Sequence, residues 1–247
     1  MENVIFGIHP ITEAINAGKK IEKILFKKEL DNPQLKFLME MARQNDIAVQ
    51  FVPIEKIAHV AKGGLHQGVV AYMAQIEYAD MEVAMAKAFD RSDSPIVLLL
   101  DGVSDVRNLG AITRTAECAG VDVLFVPAKG GAAVNSEAIK SSSGALLRVP
   151  VCKVPNLKMA IFYLKESGFK VIGATEKTDT LIYKADYSGP IAIVMGAEGT
   201  GISSSVIALC DQLVRIPMAG SISSLNVGVA SAIVLYEAVR QRGADKL

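Results

Sequence analysis

Three stretches of this sequence gather residue types that can bind or activate a polar substrate: DGVSDVRNLGAITRTA at 101–116, MGAEGTGIS at 195–203 and IPMAGSISSLNVGVASAIVLY at 216–236. In the first, Asn108 and Arg114 stand six positions apart. A guanidinium is a rigid fork of donors suited to phosphate or carboxylate. If a helix starts near Leu109, Arg114 falls in its second turn and can point back over the end of the preceding strand. The plainer alternative makes Arg114 a solvated helix residue and Asn108 a simple N-cap. In the second stretch, Gly196, Gly199 and Gly201 flank Glu198. Such glycines bring backbone close to something or allow dihedrals that other residues avoid. Their order is not the dinucleotide fingerprint, and the Lys-Ser/Thr of a P-loop is missing. Glu198 is a candidate general base or a ligand for a ribose or amino group; otherwise it caps a helix beginning near Ser203.

The third stretch carries no charge over twenty-one residues, long enough to span a bilayer. Eight of the twenty-one are Ser, Gly, Pro or Asn, concentrated in its first half. Only about fourteen residues after Asn226 read as an apolar helix, too short to cross. A helix apolar nearly all round belongs in a core or an interface. Its N-terminus offers free backbone N–H groups beside the hydroxyls of Ser223 and Ser224 and the amide of Asn226, which suits an anion or a polar ligand.

A scaffold must hold these loops together. From Ser94 onward, continuous apolar runs (PIVLLLDGV, VDVLFVP, FKVIGAT, GPIAIVMG) alternate with helical segments of 10 to 15 residues. That pattern predicts a mostly parallel sheet covered on both faces. Ligands bind such sheets at the carboxyl ends of the strands, where all three polar stretches lie. Residues 1–75 alternate short strands (IEKILFK, IAVQFV, GVVAYMA) with helical patterns and form a separate small α/β sandwich. The charge-rich IEYADMEVAMAKAFDRSD at 76–93 reads as a linker with at most one or two helical turns, and 94–247 as the chemical domain.

Composition excludes more than it selects. Basic and acidic residues balance at 26 each, so any nucleic-acid surface must be local. Cys118, Cys152 and Cys210 are far apart with no CxxC pair, and read as small buried apolar residues in a reducing compartment. All three histidines (His9, His59 and His66) precede residue 76, which argues against a Ser-His-Asp hydrolase and against Cys/His zinc chemistry in the second half. The N-terminus has no signal-peptide pattern, so a cytoplasmic location is expected. What remains is a constellation of Asn, Arg, Glu and Ser that positions a substrate for chemistry supplied by a cofactor.

NLGAITRTA, IVMGAEGTGIS and IPMAGSISSLNVGVASAIVLYEA resemble, in order and spacing, the three motifs of the SpoU/TrmH-type RNA ribose 2′-O-methyltransferases of the SPOUT class. FGIHPITEAI and HQGVVA resemble the small L30e-like RNA-binding domain that precedes the catalytic domain in some members. The whole chain looks most like the branch that methylates a guanosine of 23S ribosomal RNA. The resemblance implies an α/β fold with a deep trefoil knot, S-adenosylmethionine as cofactor, no metal and a homodimer packed through the catalytic domains. It implies cofactor contacts at Gly196, Ile216 and Leu225, and catalytic or substrate roles for Asn108, Arg114, Glu198, Ser224 and Asn226. Alternative substrates are tRNA or an adenosine of ribosomal RNA, and a non-catalytic RNA-binding assembly factor is the alternative of another class. In the N-terminal half, Lys19, Lys20, Lys23, Lys27 and Lys28 form a candidate phosphate-facing patch, although residues 1–75 sum to only +1 (nine basic, eight acidic). His66 and Gln67 either contact RNA or shape a turn.

Overall fold

The computed structural model describes residues 4–29, 32–74, 76–221 and 224–243; Ser223 lies outside them. The chain divides into two compact units, 1–77 and 78–247.

In the first unit, β1 (Val4–Phe6), α1 (Ile8–Asn16), β2 (Ile21–Lys27), α2 (Pro33–Gln44), β3 (Ala48–Val52), α3 (Ile54–Val60) and β4 (Val69–Met73) follow one another. The sheet order is β1-β4-β2-β3, with β4 antiparallel to β1 and β2, and β3 parallel to β2. The period-two alternation of β2 divides its side chains between two cores. Ile24 and Phe26 meet Ile8, Ile11 and Ile15 of α1 and Leu35, Leu38 and Ala42 of α2. Leu25 points the other way, to Ile57 of α3 and to Val52 and Val70. Asn32 caps α2 by accepting from Gln34 N–H at 2.8 Å, with Pro33 at the first helical position.

The second unit runs α4 (Met81–Arg91), β5 (Ile96–Asp101), α5 (Val106–Cys118), β6 (Val123–Pro127), α6 (Ser136–Ser141), β7 (Val151–Val154), α7 (Leu157–Glu166), β8 (Lys170–Ala174), β9 (Ile191–Gly196), α8 (Ser204–Ile207), β10 (Gln212–Val214) and α9 (Val227–Arg242). Its sheet has the order β10-β8-β9-β5-β6-β7, and all the pairings are parallel. β5 is central and buries five successive residues, as its unbroken apolar run requires. On one face, α4, α7 and α8 pack against Val97, Leu99, Val123, Phe125, Ala192 and Val194. On the other, α5 and α9 pack on each other and α9 reaches β9. Arg242, near the end of α9, donates to the carbonyls of Tyr187, Ser94 and Gly189, which fastens that helix beside the start of β5.

Three readings of the sequence are corrected. Residues 81–91 are a three-turn helix that buries Ala84, Met85 and Ala88 in the core of the second unit, so they belong to that unit and do not link. Asp80 caps this helix by accepting from Val83 N–H at 3.1 Å. The stretch NSEAIKSSSGALL reads in sequence as one helix, but it is broken, because Ser143 (φ 51°) and Gly144 (φ 85°) adopt left-handed backbone and only a 3-10 turn follows at Ala145–Leu147. Of the three cysteines, Cys152 is buried and Cys210 half-buried, but Cys118 is exposed at the end of α5.

Thiol labelling tests this packing. Burial, with Asp80 nearby, pushes the Cys152 thiol up to about 12, and burial raises Cys210 to about 11. The thiolate is the reactive form. At pH 8, Cys118 is therefore expected to react alone in the folded protein, the other two only after denaturation. Rapid labelling of Cys152, read by mass spectrometry, would contradict the closed core around β7.

Candidate functional site

The loop after β5 begins with a cap. Asp105 accepts from the N–H groups of Arg107 (2.8 Å) and Asn108 (2.9 Å), so α5 starts at Val106 and not near Leu109. Asn108 is thereby relieved of capping, and its side chain is available across the sheet edge. There it meets Asn226, the N-cap of α9. The Asn226 Oδ1 accepts from Gly228 N–H at 2.9 Å and Val229 N–H at 3.3 Å. Its Nδ2 donates to Asn108 Oδ1 at 2.9 Å and to Glu198 Oε1 at 2.6 Å. The same Glu198 oxygen accepts from Val227 N–H at 3.3 Å. One carboxylate and two amides thus join all three polar loops at the positive end of a 16-residue helix.

The second loop is shaped by its glycines. Ala197 and Gly201 exchange N–H···O bonds at 3.2 and 2.9 Å, closing a tight hairpin with Gly199 (φ 81°) and Gly201 (φ 66°) left-handed. A Cβ on Gly196 would lie 2.1 Å from the carbonyl carbon of Gly201 and 2.2 Å from Ile202 N, so the chain crosses itself where only glycine fits. Asp101, at the end of β5, accepts from Ser203 N–H at 2.8 Å and locks this hairpin to the central strand. α8 starts without a side-chain cap; the helix that Glu198 serves is α9.

In the third loop Ile216 is half-buried, while Met218 and Leu225 keep 42% and 36% of their surface exposed. The backbone of 216–221 makes no hydrogen bond to other described residues. Ser224 and Arg114 are exposed, and neither side chain has a hydrogen bond or ion pair among the described residues. Arg114 lies about 9 Å beyond Asn108 along the axis of α5. The structure therefore brings Asn108, Glu198 and Asn226 into direct contact and leaves Arg114 and Ser224 with unengaged polar groups. The supports Asp101 and Asp105 were missed in the sequence. Asp105 has a signal, an acidic residue just before a helix; Asp101 has none. No group of three or more His, Cys, Asp or Glu is placed to hold a metal among the described residues, and no helix there is long and apolar enough to cross a membrane.

In the first unit, His66 Nδ1 accepts from Gly68 N–H at 3.0 Å and Gln67 Oε1 from Ile8 N–H at 3.0 Å. Both side chains shape the loop into β4. Lys19 and Lys20 precede β2 whereas Lys27 and Lys28 stand at its far end, roughly 23 Å away at about 3.3 Å per residue. Lys23 lies over the Tyr72 ring, 4.9 Å from its centre. The lysines do not make one continuous patch.

Residues 95–236 match the SpoU rRNA methylase family, and residues 4–79 match the family described as RNA 2′-O ribose methyltransferase substrate binding. A TrmH family tRNA/rRNA methyltransferase of Staphylococcus saprophyticus is 40% identical over 243 residues, 98% of this chain and 96% of the relative. Among solved structures, the SpoU methyltransferase AviRb of Streptomyces viridochromogenes in complex with AdoMet is similar with a TM-score of 0.61 and 28% identity, over 98% of this chain and 91% of that one. The A. aeolicus TrmH/SpoU tRNA modifying enzyme is similar with a TM-score of 0.55 and 30% identity, over 67% of this chain and 86% of the other.

The joint at Asn226 has a pH signature. Asn226→Asp keeps the capping oxygen but turns the donor that meets Asn108 and Glu198 into a second carboxylate oxygen. Repulsion raises the pKa of the new carboxyl in the folded state. Stability relative to wild type is then highest at low pH and lost as pH rises through that raised value. Thermal melts should show a larger Tm deficit at pH 7.5 than at pH 4.5. Asn226→Ala should lose about 1 kcal/mol of cap at both. Equal deficits for Asn226→Asp at the two pH values would refute the contact.

Proposed function

The chain belongs to the SpoU rRNA methylase family, and from that premise we propose that it transfers a methyl group from S-adenosylmethionine to the ribose 2′-hydroxyl of a guanosine in 23S ribosomal RNA. Coarsely stated, it is an S-adenosylmethionine-dependent RNA methyltransferase. The observation that supports methyl transfer at this site is the Asn108–Asn226–Glu198 joint, which gathers three loops over the carboxyl ends of parallel strands; the choice of a guanosine and of 23S RNA follows the sequence resemblance. A match to a substrate-binding family over residues 4–79 supports giving RNA recognition to the first unit, in the manner of an L30e-like domain.

The second and third loops support a cofactor site at Gly196, Ile216 and Leu225. Unengaged carbonyls over 216–221, and the amides there apart from Pro217, can serve the edge of an adenine, and exposed Met218 and Leu225 its face. When bound, the cofactor supplies an electrophilic methyl group on a sulfonium sulfur. A ribose hydroxyl is a poor nucleophile, and as it attacks its proton passes to a phosphate oxygen of the RNA or to solvent. A guanidinium carries a fixed fork of donors and no acceptor, so Arg114 serves to hold the phosphate and ribose in line. Ser224 and Asn226 orient the hydroxyl, and Glu198 orders the loop through Val227 N–H and Asn226. A trefoil knot is supported by the path of the chain after β10. Arg215 is bonded on both sides to the 175–190 connection, through Thr180 O at 2.8 Å and Ile182 N–H at 3.0 Å, before α9 returns to α5. Val229 and Tyr236, each half exposed on α9, support a homodimer through this unit.

Labelled methyl transfer to transcripts of 23S RNA, 16S RNA and tRNA decides the substrate. Incorporation into 23S RNA at a guanosine ribose is expected. Incorporation into tRNA alone favours the second reading, prompted by the S. saprophyticus relative's tRNA/rRNA name. No incorporation, with cofactor demonstrably bound, favours an assembly factor. Arg114→Ala should slow single-turnover transfer by about 10²-fold or more with cofactor affinity unchanged; near wild-type transfer would remove it from the site. Light scattering should give a dimer that Tyr236→Glu weakens, and a monomeric wild type would refute that interface.

A further inference from the structure

β5 has two neighbours, and their carboxyl ends flank the loop that leads into α5, the helix that carries Asn108 and Arg114. On the β9 side stands the 197–203 hairpin. On the β6 side stands the loop 128–135, AKGGAAVN, to which the resemblance gives no role. That loop is anchored at both ends. Ala128 N–H donates to Val154 O at 2.7 Å, and Ala132 N–H donates to Val103 O at 2.8 Å, in the loop that leads into α5. Between these anchors the N–H groups of Lys129, Gly130 and Gly131 donate to no described residue. Gly130 has φ 80°, and a Cβ there would meet nothing within 4 Å, so the backbone is open to close approach. The Lys129 side chain is exposed and has no ion pair among the described residues. The neighbouring cation Arg107 is occupied at 3.1 Å by Glu137.

Successive unbonded amides beside a free ammonium group form an anion site of the kind backbone turns provide. With the cofactor assigned to the loops after β9 and β10, the loop after β6 flanks β5 on the side opposite β9. We propose that residues 128–132 bind a backbone phosphate of the substrate RNA, with Lys129 as its counter-charge and the amides of Lys129, Gly130 and Gly131 as donors. This rests on the RNA methyltransferase reading and adds a phosphate subsite to it.

The test uses the full-length protein and the transcript that wild type methylates. RNA dissociation constants are measured by filter binding across a salt series for wild type, Lys129→Ala, Lys129→Glu and Lys129→Arg, with cofactor affinity by equilibrium dialysis as the check on folding. Lys129→Glu should weaken RNA binding on the order of ten-fold and Lys129→Ala somewhat less. Loss of one phosphate contact should flatten the slope of log affinity against log salt by about 0.7 to 0.9. Lys129→Arg should stay within about two-fold, and kcat at saturating RNA should be unchanged while KM rises. Wild-type affinity and salt slope in Lys129→Glu, with wild type active, overturn the subsite and leave the function standing. Failure of wild type itself to bind or methylate any RNA overturns both.

Discussion

The side-chain amide of Asn226 joins two loops that are 28 and 118 residues away from it in the chain, and caps a helix with its remaining oxygen. Each of these hydrogen bonds is worth only about 1 kcal/mol net, more where Glu198 contributes its charge. Their importance is geometric. A helix start with unsatisfied N–H groups could drift relative to the sheet. Asn226 fixes α9 against α5, and Glu198 takes up Val227 N–H as well. Arg114, farther along α5, and Ser224, two residues before Asn226, keep their polar groups unengaged among the described residues. Rigid support with unspent donors beside it is the arrangement that lets a site orient a substrate without first rearranging.

The joint in turn depends on the centre of the sheet. β5 pairs with β9 from Ile96 to Asp101, so Asp101 and Gly196 end side by side. Asp101 then holds Ser203, and the hairpin between them turns back so tightly that Gly196 touches the backbone of 201–202. A similar economy appears between α5 and α6, where a Cβ on Gly110 would fall 1.8 Å from Ser141 Oγ. Small residues at these crossings are required by the distance between backbones, independently of any ligand.

Much of this was legible from the residues. Runs such as IVLLLD and IAIVMG are buried on both faces, and an unbroken apolar run is what such strands need. The helix α4 was obscured because Ala84, Met85 and Ala88 are weak apolar signals among charged neighbours, and only the packed sheet shows that they suffice. The role of Glu198 was hidden for a different reason. Its partner helix begins 29 residues later, and no local pattern announces a cap supplied from so far away. The lysines of the first unit looked like a patch because sequence proximity is not spatial proximity along an extended strand; six residues of β2, 21–26, separate the two pairs. His66 and Gln67 were undecidable in sequence because a loop that binds and a loop that is merely braced use the same residues. Their bonds to Gly68 and Ile8 show the bracing.

The distance in sequence between Asn108 and Asn226 also sets a clock. At about 5 to 20 residues per second of synthesis, Asn108 exists for roughly 6 to 24 s before its partner 118 residues later has been made. The strands β5 to β9 can pair in that interval, but the site cannot close until α9 arrives and Arg242 grips Ser94 and Gly189. A nascent chain can therefore hold paired strands while the joint between Asn108, Glu198 and Asn226 is still open, and that joint closes only once α9 has been made.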